Sequence, residues 1–231
     1  MIQHAGLALA TAAFVGSHLA LSHGFRTRLV QNVGEAGFTG LYSIVALLTF
    51  GWMILAYTAI DVSVPFWIAP RPWWIAASII MLFASILLVG SFVKNPAFPH
   101  PRGAKQAARP ANGVFAITRH PMNWAFILWA LVHLSLWWSP RNIIVALGIL
   151  ILAVAGSIGQ DAKKRSVIGR AWQDWEARTS FVPFAALLSG RVKWRSAAPG
   201  WIAVGGGTAF WLAAIWIHQP SLSPLDFILG S

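Results

Sequence analysis

The chain has 231 residues, of which 57% are apolar and 10% charged, and its 17 Lys and Arg against 6 Asp and Glu give a net charge of +11. Soluble domains carry about 25% charged residues, so this composition disfavours a soluble domain and excludes a disordered chain. The basic excess leaves two readings open, nucleic-acid binding or a membrane protein with basic loops on one side.

A spanning helix needs about 20 mostly apolar residues. Six stretches meet that description in chain order: Ile2–Ser22, Thr39–Ile60, Trp73–Val93, Pro121–Trp138, Ile143–Gly159 and Gly200–Ile217. The first resembles a signal peptide in length, but no Lys or Arg precedes it and His18 interrupts its far end, so it reads as a retained helix.

Between these spans the charges separate. Arg26 and Arg28 lie in the first loop, five basic residues in 94–120, and eight in 160–199. Only Arg71 and Arg141 fall in the alternate loops. By the positive-inside rule, the odd-numbered loops face the cytoplasm and both termini face the periplasm. The net charge is then a topology signal, and no zinc-finger, helix-turn-helix or RNP pattern supports nucleic acid. Trp67, Trp73, Trp74, Trp137 and Trp138 cluster at the outer boundary, and Trp172, Trp175 and Trp194 lie in the long inner loop; both settings suit interfacial Trp. Gly205, Gly206 and Gly207 in the last span signal close helix packing or a break. The loop 94–119, rich in Pro and Gly, reads as an extended cytoplasmic segment. Within 160–199, Asp161–Ser180 places Val167, Ile168, Trp172 and Trp175 at near-helical spacing, as in an amphipathic helix on the inner membrane surface.

Ionisable residues inside a span are costly and mark candidate sites. Two stand out, His18 in the first span and His133 in the fourth. The chain has no cysteine, so an iron or copper site would rest on imidazoles. The plainer reading of each is a neutral histidine bonded to a neighbouring helix. His4 and His218 sit at the outer boundary, His23 at the inner boundary and His100 in the Pro-rich loop, all as solvated or interfacial groups. Arg119 and His120 precede Pro121 at the start of the fourth span, where a helix N-terminus favours an anion. Asp161 and Glu35 are the acidic groups nearest this face, and pairing with nearby arginines accounts for both. No G-x-S-x-G, H-E-x-x-H or P-loop is present.

Three segments carry a family resemblance. They are His18 with Arg26-Thr-Arg28 through Gly34-Glu35 to Tyr42-Ser43, then Ile117-Thr-Arg119-His120-Pro121 through Trp129 to His133, then Trp172 with Thr179-Ser180 through Pro183-Phe184 to Gly190-Arg191. In this order they resemble the NnrU family, integral membrane proteins associated with nitrite and nitric oxide metabolism in denitrifying bacteria. A plant and cyanobacterial relative, zeta-carotene isomerase, uses haem b. The resemblance implies haem ligation by His18 and His133, with Arg119 and His120 near the propionates. Ala130 stands where that relative has Cys, so thiolate ligation is excluded here. The R-H-P start and the Gly169, Trp172, Trp175, Pro183 series are also similar to isoprenylcysteine methyltransferases, which bind S-adenosylmethionine. Gln160-Asp161 replaces the Glu pair usual in that group.

The expectation is an all-α polytopic protein of about six transmembrane helices, forming one domain over 1–231 in a bacterial inner membrane. It would bind haem b through His18 and His133 and act in redox or isomerase-type chemistry on a hydrophobic small molecule. The alternatives are a membrane methyltransferase using S-adenosylmethionine and a non-enzymatic accessory protein of denitrification. The partners are membrane lipids, with no nucleic acid.

Overall fold

The computed structural model describes residues 2–61, 65–97 and 103–218, which are helical with no strand among them. Helix α1 (Ile2–Leu19) runs on into a π-helical stretch, Ala20–Gly24. Helix α2 (Arg26–Thr58) is kinked at Gly34, whose φ of 74° suits a residue without a Cβ. Then come α3 (Arg71–Gly90), two short helices, α4 (Gly103–Ala107) and α5 (Val114–Ile117), and α6 (Pro121–Leu136). Helices α6 and α7 (Pro140–Ile168) each begin on a proline, where the missing N–H is no loss. Gly169, at φ 54°, breaks α7 from α8 (Arg170–Arg178). A short α9 (Ala185–Leu188) and a 3-10 turn (Trp194–Ala197) lead to α10 (Trp201–His218).

Five of these helices, α1, α2, α3, α7 and α10, are long and apolar enough to cross a membrane. The chain is thus an all-helical multi-pass membrane protein. Helix α6 is apolar but has 16 residues, a rise of about 24 Å against a hydrocarbon core of about 30 Å. The expected fourth span is the one that falls short.

The long helices pack as a row in the order α2, α1, α7, α6, α3, α10. Helix α7 is the centre of one half. Its Gly148 meets the Thr11 side chain of α1, and its Ser157 hydroxyl accepts from Asn123 Nδ2 of α6 at 2.7 Å. Residues nine apart on an α-helix point to opposite faces, so α7 separates α1 from α6. At the far edge, Gly206 and Gly207 turn toward α3 while α10 stays unbroken. Close packing, not a break, is the role of these glycines.

The largest apolar core among the described residues lies at the Arg-rich end, where span ends meet the segments that connect them. It joins Leu87 of α3 and Ala203 of α10 to Phe115, Ile117, Trp172, Trp175 and Leu187. Segment 103–119 is therefore folded and partly helical, in contrast to the extended loop expected. The amphipathic helix exists as α8, but its apolar face turns inward. Trp172 is 0% and Trp175 2% exposed, so both are core residues and not surface anchors. The physical reason is the break at Gly169, which folds α8 back against α4 and α7. Trp74 is also buried, and its N–H donates to the Ala69 carbonyl.

A Cβ on Gly207 would stand 2.7 Å from Ile86 Cα and 2.8 Å from Ile86 N, backbone atoms that cannot yield locally. Gly207→Ala should therefore lower the thermal unfolding midpoint in detergent, by about 1–3 kcal/mol of overpacking. Gly205 has nothing within 4 Å of the same position. Gly205→Ala should leave the midpoint unchanged or raise it slightly, because Ala is the better helix former. Equal effects would contradict the packing.

Candidate functional site

Two regions hold the chemistry-bearing residues. The first is an ionic node at the Arg-rich end. His120 is completely buried and lies one residue before α6. Its Nε2–H donates to Asp161 Oδ1 at 2.9 Å, and its Nδ1 lies 3.0 Å from Gln160 Oε1. Arg119 donates to the other Asp161 oxygen from Nε at 2.9 Å and Nη2 at 2.7 Å. Its Nη2 is also 3.9 Å from Glu176 of α8, which in turn takes a bidentate pair from Arg165 at 2.7 and 2.8 Å. A single carboxylate, Asp161, thus serves two basic side chains inside the fold.

The backbone around the node is equally committed. Segment 179–184 is clamped to residues 117–124 by hydrogen bonds given from both sides. Arg119 N–H donates to Ser180 O at 2.9 Å, and Thr118 Oγ1–H to Phe181 O at 2.7 Å. Trp124 Nε1–H reaches the same Phe181 carbonyl at 2.8 Å, and Phe184 N–H donates to Ile117 O at 2.8 Å. The Thr118-Arg119-His120-Pro121 motif is therefore the joint that fastens α6, α7 and the 179–184 segment. Arg119 and His120, the residues expected to face an anion, are here partnered by Asp161. Both ring nitrogens of His120 are engaged, and an anion at Arg119 would have to displace Asp161. A cavity of about 360 Å³ opens beside Arg119, Asp161 and Arg165, with Val154, Ile158 and Phe181 as its apolar wall.

The second region holds the histidines of the apolar helices. His133 Nδ1–H donates to the Trp129 carbonyl at 2.8 Å, and its ring stacks on Trp129 at 4.2 Å. His18 makes the same bond to Phe14 O at 2.9 Å, and its ring packs against Phe14 and Tyr42. In both, Nε2 remains as the ligand atom, the arrangement usual for metal-binding imidazoles. The π-helical stretch begins two residues after His18, a distortion often found at functional sites.

The two rings do not meet. Thr11 sits beside Gly148, and α1 runs parallel to α7, which sets His18 level with about residue 155 of α7. Asn123 sits beside Ser157 on an antiparallel neighbour, which sets His133 level with about residue 147. The offset is about 12 Å along the axis, with α7 between them. As folded, the pair does not fit a single iron. The imidazole next to His133 is His218 of α10, with ring centroids 6.3 Å apart. His218 Nδ1–H is likewise bonded to its own helix, at Ala214 O. Nothing in the spacing of the sequence signals this neighbour, 85 positions away. No cluster of three or more His, Cys, Asp or Glu forms among the described residues, and His100 lies outside them.

An all-helical multi-pass architecture with imidazoles in its apolar helices defines the class of protein. The NnrU protein family matches residues 6–223, and the chain belongs to that family. It is 34% identical over 83 residues to the chloroplastic 15-cis-zeta-carotene isomerase of Zea mays, covering 35% of this chain and 22% of that one. The enzyme of the same name from Arabidopsis thaliana is 34% identical over 82 residues, covering 34% and 22%. The matched part spans about a fifth of the length of these relatives. No solved structure matches.

Asp161→Asn should destabilise the chain severely, because the largely enclosed Arg119 loses its counter-charge and the buried His120 loses a hydrogen-bond acceptor, a defect worth about 3–5 kcal/mol. Glu35→Gln removes a similar partner from Arg26, but Glu35 is 65% exposed, and such pairs contribute little. Thermal unfolding of both variants in one detergent tests this, and midpoints within error of each other would refute the node.

Proposed function

We propose that this protein is a membrane-embedded enzyme of isomerase type that acts on an apolar, isoprenoid-like molecule, with haem b as cofactor and His133 as an iron ligand. The observation that carries the reading is the state of His133. Its Nδ1–H is held by the Trp129 carbonyl and its ring is braced on the Trp129 indole, so Nε2 presents a fixed lone pair inside an apolar helix. The likeness to two zeta-carotene isomerases supports the substrate class. Haem held by His133 would supply an iron centre for chemistry at a double bond. The chain's own part is to orient that imidazole between the Trp129 carbonyl and the Trp129 ring. His18 keeps a free Nε2 on the other side of α7, and its service to the same iron would require α1 to move against α7.

Protein produced with haem supplied should show a Soret band, and His133→Ala should lose it. His18→Ala and His218→Ala then identify the second ligand by which of them alters the band. A wild-type protein without a band, or a His133→Ala protein with an unchanged one, overturns the reading.

The same proposal sets the Arg-rich end in the cytoplasm of a bacterial inner membrane, following the basic residues. The absence of cysteine makes this simple to test. Trp67→Cys should react with an impermeant maleimide in intact cells, and Lys193→Cys only after permeabilisation. The reverse pattern inverts the topology.

A further inference from the structure

A second cavity, of about 500 Å³, lies at the Arg-rich end between the C-terminus of α3 and the N-terminus of α10. It is separate from the ionic node and from the histidines. Its lining includes two basic residues, Lys94 and Arg109, and no carboxylate. Neither cation has a hydrogen-bond or ion-pair partner among the described residues, whereas Arg26, Arg119 and Arg165 are all paired. Lys94 is held at φ 54°, in the left-handed region that a lysine seldom occupies.

The neutral donors point the same way. Trp175 lines the cavity, is 2% exposed, and its indole N–H has no acceptor among the described residues. A buried N–H without a partner is a costly state that a ligand oxygen would relieve. Trp201, Ile202 and Ala203 also line the cavity and form the first turn of α10. The first helical bond there is the one from Val204 N–H to Gly200 O, so the three preceding N–H groups lack a helical acceptor. Those N–H groups and the positive end of the helix dipole favour an anion. Gln106 and Asn112 supply amide groups on the opposite wall. Gln106 Oε1 is buried and unpartnered, which suits the O–H of a hydroxylated or protonated ligand.

Beside these donors the surface is apolar. Val93, Trp201 and Ile202 are exposed where α3 and α10 emerge from the apolar zone. We propose that this cavity binds a phosphate group, most naturally one carrying an apolar tail along the exposed rim of α3 and α10. The shared chemistry is a phosphate oxygen cluster that accepts from Arg109, Lys94, the Trp175 indole and the first turn of α10. The phosphate of a lipid headgroup and a free phosphate anion would use the same donors.

Calorimetric titration of the full chain in a neutral detergent tests this with three probes. They are dioctanoyl phosphatidic acid, dioctanoylglycerol with the same tails and no phosphate, and inorganic pyrophosphate. Phosphatidic acid should bind, and dioctanoylglycerol should bind at least about tenfold more weakly. Lys94→Gln combined with Arg109→Gln should weaken phosphatidic acid by about tenfold or more, while Lys94→Arg with Arg109→Lys should restore it. Lys193→Gln, outside the cavity, should change nothing. Trp175→Phe should weaken binding several-fold by removing one donor, with the fold checked by gel filtration. Pyrophosphate that competes with phosphatidic acid identifies a site for free phosphate. Pyrophosphate that fails to compete identifies a lipid site. Absence of phosphatidic acid binding, equal binding of dioctanoylglycerol, or an unchanged Kd in the doubly neutralised variant overturns the proposal.

Discussion

The fold depends on one carboxylate. Asp161 is among six acidic residues in a chain with seventeen basic ones, and it is placed where its two oxygens meet two different basic side chains. Arg119 and His120 arrive from the start of α6, Asp161 from the polar extension of α7, and Glu176 from α8. Removing any of these from water without the others would be unfavourable. The node therefore fixes not only a distance but a combination: the three elements must be present together. The hydrogen bonds from Thr118, Arg119 and Trp124 to segment 179–184 extend that joint through the backbone.

Such a joint matters more in this architecture than it would in a compact bundle. A row of helices gives each member few neighbours, and inside lipid there is little hydrophobic force to hold helices together. Two kinds of contact supply what is missing. Glycines let α10 approach the backbone of α3, and let the Thr11 side chain of α1 seat against α7. Beyond the spans, the core around Phe115, Trp172 and Trp175 is shielded from both water and lipid and can use ordinary apolar burial. The cap at the Arg-rich end thus organises the spans.

The spans themselves were legible because their signal is composition over about twenty residues, which packing does not alter. The charge sorting was legible for the same reason. What the sequence left unread was relief and partnership. Trp172 and Trp175 have the spacing of a surface helix, and only the turn at Gly169 decides that their face points inward. Arg119 and His120 read as an available anion site because their partner, Asp161, lies some forty positions on, across a helix; the bland reading of Asp161 as an arginine's partner was the correct one. His218 reads as a boundary residue, and its place beside His133 follows from the order of helices in the row. His18 and His133 stand at different levels, and the offset is set by the register of α1 and α6 against α7. Periodicity within one helix carries no information about register between helices.

The length of α6 has a consequence for the membrane around it. A helix of sixteen residues that crosses a bilayer is too short for an average hydrocarbon layer, and the mismatch is relieved by thinning of the lipid or by burial of the helix ends in protein. Its start is anchored in the ionic node, so the adjustment falls at the Leu136 end, beyond His133. Asn142 caps that end from α7, donating to the carbonyls of His133 and Trp137. Lipid drawn thin at this point would bring the headgroup layer close to His133. If α6 does cross, the protein would be suited to thinner bilayers, and the polarity felt by His133 would vary with the acyl-chain length of the host membrane.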